Sequence, residues 1–349
     1  MVRVVVGGAR PLMGSRKSGP QGAHWRKTIA DHGARVRYPL PMNVPANGSA
    51  NVPDPDSAPG SATAGLHLPQ GTFEGKRVVV TGGGTGLGLA MSRGFAALGA
   101  HVIIPSRTPE NQAAFLDEAK ERGWKATGAQ VDVREPDSVR RLAESILEEH
   151  GPVDVLVNNA AGNFVCPAER MSSNAWRAVL GIVLDGTFYC SKEFGKHMMQ
   201  DDRGGSIINI IATYAWTGMP GVVHSASAKA GVHAMGKTLA AEWARFGIRV
   251  NAIAPGPFES GGANKNLWPN EEVQERIRQS VPMKRFATRD EVAAQALWLA
   301  SDAAQYVTGA TITIDGGMSL GAGNMWEPGE RVGRPKRSDA PAGNEGGDA

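Results

Sequence analysis

The sequence predicts an α/β fold: a single Rossmann-type, doubly wound domain with a parallel sheet flanked by helices, set between disordered N- and C-terminal extensions. Three observations predict it. A glycine-rich turn, Gly82-Gly83-Gly84-Thr85-Gly86-Leu87-Gly88, joins an apolar run over 76–81 to a helix-like stretch over 90–98. Apolar strand-like runs then alternate with helical segments, the pattern of a parallel sheet covered on both faces. The alternation covers about 250 residues, near the upper end of what one domain buries around a single core.

Each element follows from its residues. Lys76-Arg77-Val78-Val79-Val80-Thr81 reads as a buried strand. The glycines after it let the backbone turn tightly and approach a pyrophosphate, whose charge then sits at a helix N-terminus where unpaired N–H groups point outward. Gly82, Gly86 and Gly88 fit that spacing, and Thr81, Gly84 and Leu87 complete the candidate cofactor turn. The next strand, 101–104, ends in Pro105-Ser106-Arg107 with no carboxylate. An NAD-selective fold places Asp or Glu near here for the ribose hydroxyls, whereas arginine suits the extra phosphate of NADP, so NADPH is expected with Arg107 as its anchor. A third strand ends at Val131-Asp132-Val133, and a fourth, 153–157, runs into Asn158-Asn159-Ala160-Ala161-Gly162. Ile207-Ile208-Asn209-Ile210-Ile211 supplies a fifth, 227–245 has helical apolar spacing, 249–253 reads as a strand, 290–300 as a helix and 311–314 as the last strand. No internal repeat is visible.

Thr81-Gly82 with Gly86 and Gly88, Asn158-Asn159-Ala160-Ala161-Gly162, Pro255-Gly256-Pro257 and Asp315-Gly316-Gly317 resemble, in order, the motifs of the short-chain dehydrogenase/reductase family. The likeness runs roughly from Phe73 to Leu320. It implies that Asp132, Asn159, Lys229, Pro255, Gly256, Pro257 and Phe258 also contact the cofactor. The family's catalytic set is an Asn, a Ser, a Tyr and a Lys, with the Tyr four residues before the Lys. Counting back from Lys229, the tyrosine position holds Ser225, the serine position Ala212 and the asparagine position Val183. Ser225 can relay a proton, but alanine and valine offer no polar side-chain atom.

A tyrosine does stand nearby: Tyr214 lies fifteen residues before Lys229, just after the fifth strand. Asn158-Asn159-Ala160-Ala161-Gly162-Asn163-Phe164, Thr213-Tyr214-Ala215 and Ser225-Ala226-Ser227-Ala228-Lys229-Ala230-Gly231 resemble the 2,4-dienoyl-CoA reductase subgroup, where the tyrosine sits at this earlier place. The chemistry gives the displacement a reason. A carbonyl reductase delivers a proton to oxygen beside the carbon that takes hydride. A dienoyl thioester accepts hydride at the far end of its conjugated system, and charge develops several bonds away on the thioester oxygen. Tyr214 and Asn163 are the candidate donors to that oxygen, with Ser225 and Lys229 completing the catalytic set. The resemblance implies that Arg107, Arg134, Phe164 and Ser172 reach an acyl-CoA substrate. It also implies a 3-enoyl-CoA product and a homotetramer that buries the long helices around Asp185 and Ala230. Asn266 stands where the resembled enzymes carry an arginine, and Lys265 beside it does not reproduce a bidentate guanidinium. Ser260-Gly261-Gly262-Ala263-Asn264 is expected to be a mobile substrate loop.

The expected boundaries are a Pro/Gly-rich basic extension over 1–71, the short-chain dehydrogenase/reductase Rossmann domain over 72–326 and a disordered tail over 327–349. In the first forty residues Arg3, Arg10, Arg16, Lys17, Arg26, Lys27, Arg35 and Arg37 face only Asp31. The extension lacks the apolar periodicity needed to offset chain entropy. It reads as a mitochondrial transit peptide, a phosphate- or nucleic-acid-attracting arm, or upstream sequence with the true start at Met42; the last is favoured. Net charge is +3 and comes largely from this leader. The two cysteines, Cys166 and Cys190, have no metal-binding or CxxC spacing and read as free buried thiols in a reducing cytoplasm, or a mitochondrial matrix if the leader is a transit peptide. No apolar run reaches membrane-spanning length, and no nucleic-acid or membrane partner is expected of the domain. Three functions therefore compete: NADPH-dependent reduction of 2,4-dienoyl-CoA to 3-enoyl-CoA in degradation of unsaturated fatty acids, which is preferred; a ketone or alcohol oxidoreductase; and a non-catalytic dinucleotide-binding protein.

Overall fold

Runs of β-branched residues place successive side chains on opposite faces of one sheet. Val78, Val80, Val102, Ile104, Val155, Val157, Ile208 and Ile210 enter one apolar core, while Val79, Ile103, Leu156, Ile207 and Val250 enter the other. The strands are β1 (Arg77–Val80), β2 (His101–Ser106), β3 (Lys125–Gln130), β4 (Val155–Asn158), β5 (Gly205–Ile210), β6 (Ile248–Pro255) and β7 (Thr311–Ile314). They form a parallel sheet of seven strands in the order β3-β2-β1-β4-β5-β6-β7. This architecture comes from a computed structural model that describes residues 68–200, 203–259 and 270–320.

Helices cover both faces. On one side α1 (Gly86–Ala97), α2 (Glu110–Glu121) and a late helix, Arg289–Ala300, contribute Met91, Phe95, Phe115, Val292 and Leu297. On the other, α3 (Pro136–His150), α5 (Gly186–Met198) and α7 (Val223–Trp243) contribute Val139, Leu142, Ile146, Phe194, Met198 and Leu239. Each such side chain, fully buried, contributes about 1.5–3 kcal/mol of transfer free energy. The close packing of α1 on Arg289–Ala300 depends on Gly94, where a Cβ would lie 2.7 Å from Leu297 Cδ1. Thr288 and Glu291 start that last helix with reciprocal caps, the Thr288 hydroxyl accepting from Glu291 N–H and the Glu291 carboxylate from Thr288 N–H. The remaining helices are α4 (Ser173–Leu180), the one-turn α6 (Tyr214–Thr217) and Glu271–Ser280.

The chain moves outward from β1 to β3 in one direction and from β4 to β7 in the other. The C-terminal edge therefore opens a crevice between β1 and β4, where ligands of open α/β sheets bind. Among the described residues, no helix is long and apolar enough to cross a membrane.

Some boundaries differ from the sequence expectation. β3 ends at Gln130, not at Val131-Asp132-Val133, although Val131 N–H still donates to Ser106 O at 3.0 Å. Asp132 turns the chain there, its carboxylate accepting the Arg134 N–H at 3.1 Å. α7 begins at Val223, four residues before the expected start, because His224 and Ser225 belong to its buried face with Ala228 and Lys229. Residues 68–71, placed in the leader by sequence, pack on the domain: Leu68 lies against the first core and the Gln70 amide donates to Ala97 O at 2.6 Å. Residues 1–67, the tail over 327–349, and the 260–264 and 265–266 positions lie outside the described residues.

Candidate active site

The crevice is built from the loops that leave the C-terminal ends of the strands, beginning with the turn after β1. Gly82 and Gly86 have φ of 66° and 54°, the left-handed region that a side chain disfavours. Gly88 has no room for one: a Cβ would lie 2.2 Å from Gly82 O. The first N–H groups of α1 have no intrahelical acceptor, so the turn offers an anion site at a helix N-terminus. Leu87 is buried in the core and can offer the site only its backbone N–H. Gly84 serves packing, since a Cβ there would strike the Asn111 backbone oxygen at 1.8 Å. Gly83, which sequence reasoning left unassigned, is equally confined by Ile104 Cγ2 at 2.5 Å.

Thr81 and Asn159 hold this turn to the loop after β4. The Thr81 hydroxyl accepts the N–H groups of Asn159 and Ala160, both at 2.9 Å, and donates to Val157 O at 3.3 Å. The Asn159 amide donates to Thr81 O at 2.9 Å and Gly82 O at 3.3 Å. Both side chains therefore frame the cofactor turn. One layer deeper, Asn158 donates to Ser191 Oγ and to Asn209 Oδ1, each at 2.9 Å, locking β4 to β5 and α5.

Arg107 follows β2, is exposed, and its side chain makes no ion pair among the described residues. Asp132 and Arg134, after β3, are paired instead. The Arg134 Nε reaches Asp132 Oδ1 at 2.9 Å and Oδ2 at 3.0 Å, and these bonds hold the Asp132 carboxyl below its ordinary pKa. The Arg134 stem lies over Gly181, whose notional Cβ would be 3.7 Å from Arg134 Cγ. Ser172 caps α4, accepting the Ala175 N–H at 3.2 Å. On the β6 side, Gly256 N–H donates to Ile314 O at 2.8 Å, Pro257 O accepts from Ala287 N–H at 3.1 Å, and Phe258 packs against the first core. Pro255 O accepts the Thr213 N–H at 3.4 Å, which sets the approach to Tyr214.

Tyr214, Asn163, Ser225 and Lys229 come together. The Tyr214 hydroxyl lies 3.0 Å from Ser225 Oγ, and the Asn163 amide donates to it at 3.4 Å. Lys229, one helical turn beyond Ser225, is buried and its Nζ donates to Ile210 O at the end of β5. Burial lowers the Lys229 pKa to about 8. Burial raises that of Tyr214, with the bonds from Ser225 and Asn163 offsetting part of the rise. Tyr214 is consequently a protonated donor at neutral pH. The Asn163 carbonyl accepts the Phe164 N–H at 2.9 Å, so its amide nitrogen faces the phenol. Ala212 and Val183 are buried and apolar, as the sequence implies. Val183 sits within a π-helical turn, Gly181–Asp185, between α4 and α5, and its carbonyl accepts from Thr187 Oγ1 at 2.6 Å. Both thiols are free; Cys190 is buried and its pKa is pushed up to about 12, whereas Cys166 is only partly buried, because it lies in the loop beyond Phe164.

A glycine turn at a helix N-terminus, an exposed arginine after β2 that makes no ion pair among the described residues and a buried lysine together fit a dinucleotide. The comparisons agree with this fold. Residues 82–319 match the family model described as Enoyl-(Acyl carrier protein) reductase. The chain is 44% identical over 249 residues to the probable 2,4-dienoyl-CoA reductase [(2E)-enoyl-CoA-producing] of Bacillus subtilis (strain 168), covering 71% of this chain and 98% of that one. Among solved structures, a short chain dehydrogenase from Bacillus anthracis str. 'Ames Ancestor' is 48% identical, with a TM-score of 0.62 over 70% of this chain and 96% of that one. A gluconate 5-dehydrogenase from Burkholderia cenocepacia J2315, in complex with NADP and tartrate, is 31% identical, with a TM-score of 0.69 over 72% of this chain and 99% of that one. The chain belongs to the short-chain dehydrogenase/reductase family. It is an oxidoreductase whose cofactor is a dinucleotide.

Proposed function

We propose that the protein reduces 2,4-dienoyl-CoA thioesters to 3-enoyl-CoA with NADPH, in the degradation of unsaturated fatty acids. The observation that carries this reading is the convergence of the Tyr214 hydroxyl and the Asn163 amide at 3.4 Å beside Ser225, itself one helical turn from Lys229, while Ala212 and Val183 leave no polar side chain where a carbonyl reductase keeps its own. The name of the Bacillus subtilis relative supports the substrate class. Arg107, exposed and without an ion-pair partner among the described residues, suits the additional phosphate of NADPH. The NADP in the Burkholderia cenocepacia neighbour supports the same choice.

When bound, NADPH would supply the hydride that the δ carbon of the dienoyl group accepts. The protein's task is to hold the charge that appears at the other end. Tyr214 donates its proton to a hydrogen bond with the thioester oxygen, Asn163 donates a second from its amide, and Ser225 donates in turn to the phenol oxygen. Each such donor is worth roughly 3–4 kcal/mol of barrier. Lys229 holds the cofactor ribose and keeps a positive charge near the reacting ring. Water then protonates the α carbon, which leaves the double bond at the third position. An acyl-CoA places its phosphates toward Arg107 and Arg134. We further place the protein in the cytoplasm as a homotetramer, a state to which the exposed Phe188 on α5 lends itself.

Steady-state NADPH oxidation with a short 2,4-dienoyl-CoA, set against a panel of ketones, tests the reading. Turnover of the thioester is expected; activity on ketones alone would overturn it. Chromatography of the product distinguishes a 3-enoyl from a 2-enoyl thioester, the latter being what the name of the Bacillus subtilis relative specifies.

A further inference from the structure

His224 opens α7 beside Ser225 and is wholly buried, yet neither of its ring nitrogens has a hydrogen-bond partner. An imidazole in that position forgoes the hydrogen bonds it would make in water. What the ring does touch is Phe164, the two rings tilted by 47° to one another with centroids 4.4 Å apart. The contact closes a circuit. Phe164 N–H donates to Asn163 Oδ1 at 2.9 Å, Asn163 Nδ2 donates to Tyr214 OH at 3.4 Å, and Tyr214 OH meets Ser225 Oγ at 3.0 Å, next in sequence to His224.

We propose that His224 is a positioning residue for the reaction: its aromatic face fixes Phe164, and through the Phe164 N–H it fixes which end of the Asn163 amide faces Tyr214. The amide has two ends of similar shape and opposite polarity. Were the Phe164 N–H to move away, Asn163 Oδ1 would lose the partner that holds it back, and a carbonyl turned toward the thioester oxygen would repel the charge the site has to stabilise. The inference rests on the proposed role of Asn163 and Tyr214. Burial keeps the imidazole neutral, so its contribution is the ring contact and not a charge.

Two variants separate the ring face from the ring nitrogens. His224→Phe keeps the face and removes the nitrogens; His224→Gln keeps a polar group and removes the face. With NADPH binding unchanged as the check on folding, His224→Gln is expected to lower kcat on a short 2,4-dienoyl-CoA about tenfold, and His224→Phe to stay within about twofold. In an Asn163→Ala background the glutamine change should cost nothing further. In protein carrying 13C at tyrosine Cζ, with the Tyr214 resonance assigned by Tyr214→Phe, His224→Gln and Asn163→Ala should displace that resonance in the same direction while His224→Phe leaves it in place. The proposal is overturned if Phe loses as much as Gln, if the Gln loss adds in full to Asn163→Ala, or if the Tyr214 resonance ignores His224→Gln. Should the glutamine variant fail to bind NADPH, His224→Leu, which also lacks an aromatic face, decides by the same criteria. Should the wild type not turn over dienoyl-CoA, the functional reading falls, and the Tyr214 resonance still decides whether His224 orients Asn163.

Discussion

The cofactor turn and the catalytic corner stand a few residues apart in the same crevice, yet they are held by different means. The turn after β1 is fixed by backbone: positive φ at Gly82 and Gly86, a carbonyl 2.2 Å from where a Gly88 Cβ would be, and the Thr81 and Asn159 ties to β4. The corner is fixed by side chains on a one-turn helix, a loop and the start of α7, with Tyr214, Asn163 and Ser225 joined by two hydrogen bonds. A backbone device tolerates little change. A side-chain device can move its donor along the chain without disturbing the sheet, and so one scaffold serves a different reacting bond.

Four changes test that contrast, the largest first. Tyr214→Phe should lower kcat roughly a hundred- to a thousandfold while leaving the NADPH dissociation constant unaltered, and Asn163→Ala should give a milder loss of the same kind. Equal turnover in Tyr214→Phe would remove the corner from the mechanism. Gly88→Ala should act in the opposite sense. It forces a contact of 2.2 Å, and overpacking of about 1–3 kcal/mol corresponds to NADPH binding weakened by up to about a hundredfold, seen in a fluorescence titration. Preserved binding would show that the turn is looser than its geometry.

The third test is pH. Lys229 has its pKa lowered by burial to about 8, from an ordinary 10.5. A depressed lysine binds fewer protons folded than unfolded across that window, so its burial cost is fully present below about 8 and is relieved as pH rises toward 10.5. Its charge is lost over the same rise. NADPH affinity of the free enzyme should therefore fall about tenfold for each unit above that pKa until the neutral form's own affinity is reached, and Lys229→Arg should not show the fall. A flat profile in the wild type would mean that the ammonium does not hold the cofactor. The smallest effect belongs to Ser172→Ala. If the hydroxyl serves as the α4 cap alone, loss of about 1 kcal/mol lowers Tm by about 2–4 °C with kcat/KM intact; a drop in kcat/KM would place Ser172 on the substrate.

The backbone-built half was the more legible in sequence. Glycine spacing after an apolar run names a phosphate turn because the steric demand is local, and the parallel strands announce themselves by uninterrupted Val and Ile. Spacing also placed Tyr214 and Lys229, since both follow strand β5 within one loop and one helix. What spacing could not give was partnership. Nothing in the sequence says that Arg134 engages Asp132, that Ser172 caps α4, or that Gly84 meets the Asn111 backbone, because each depends on a neighbour brought in by folding. His224 was passed over for the same reason. A histidine at the start of a small-residue helix carries no pattern until Phe164 arrives against it.

The wide turn at Gly181–Asp185 has one more implication. It holds an extra residue relative to an α-helix, in which each residue rotates the side chain by about 100°. The wider turn absorbs that residue locally, so Phe194 and Met198 beyond it keep the facing that buries them in the second core. The irregular turn thus takes up one residue of sequence beside Val183, at the edge of the chemistry, without rotating the buried helix that follows it.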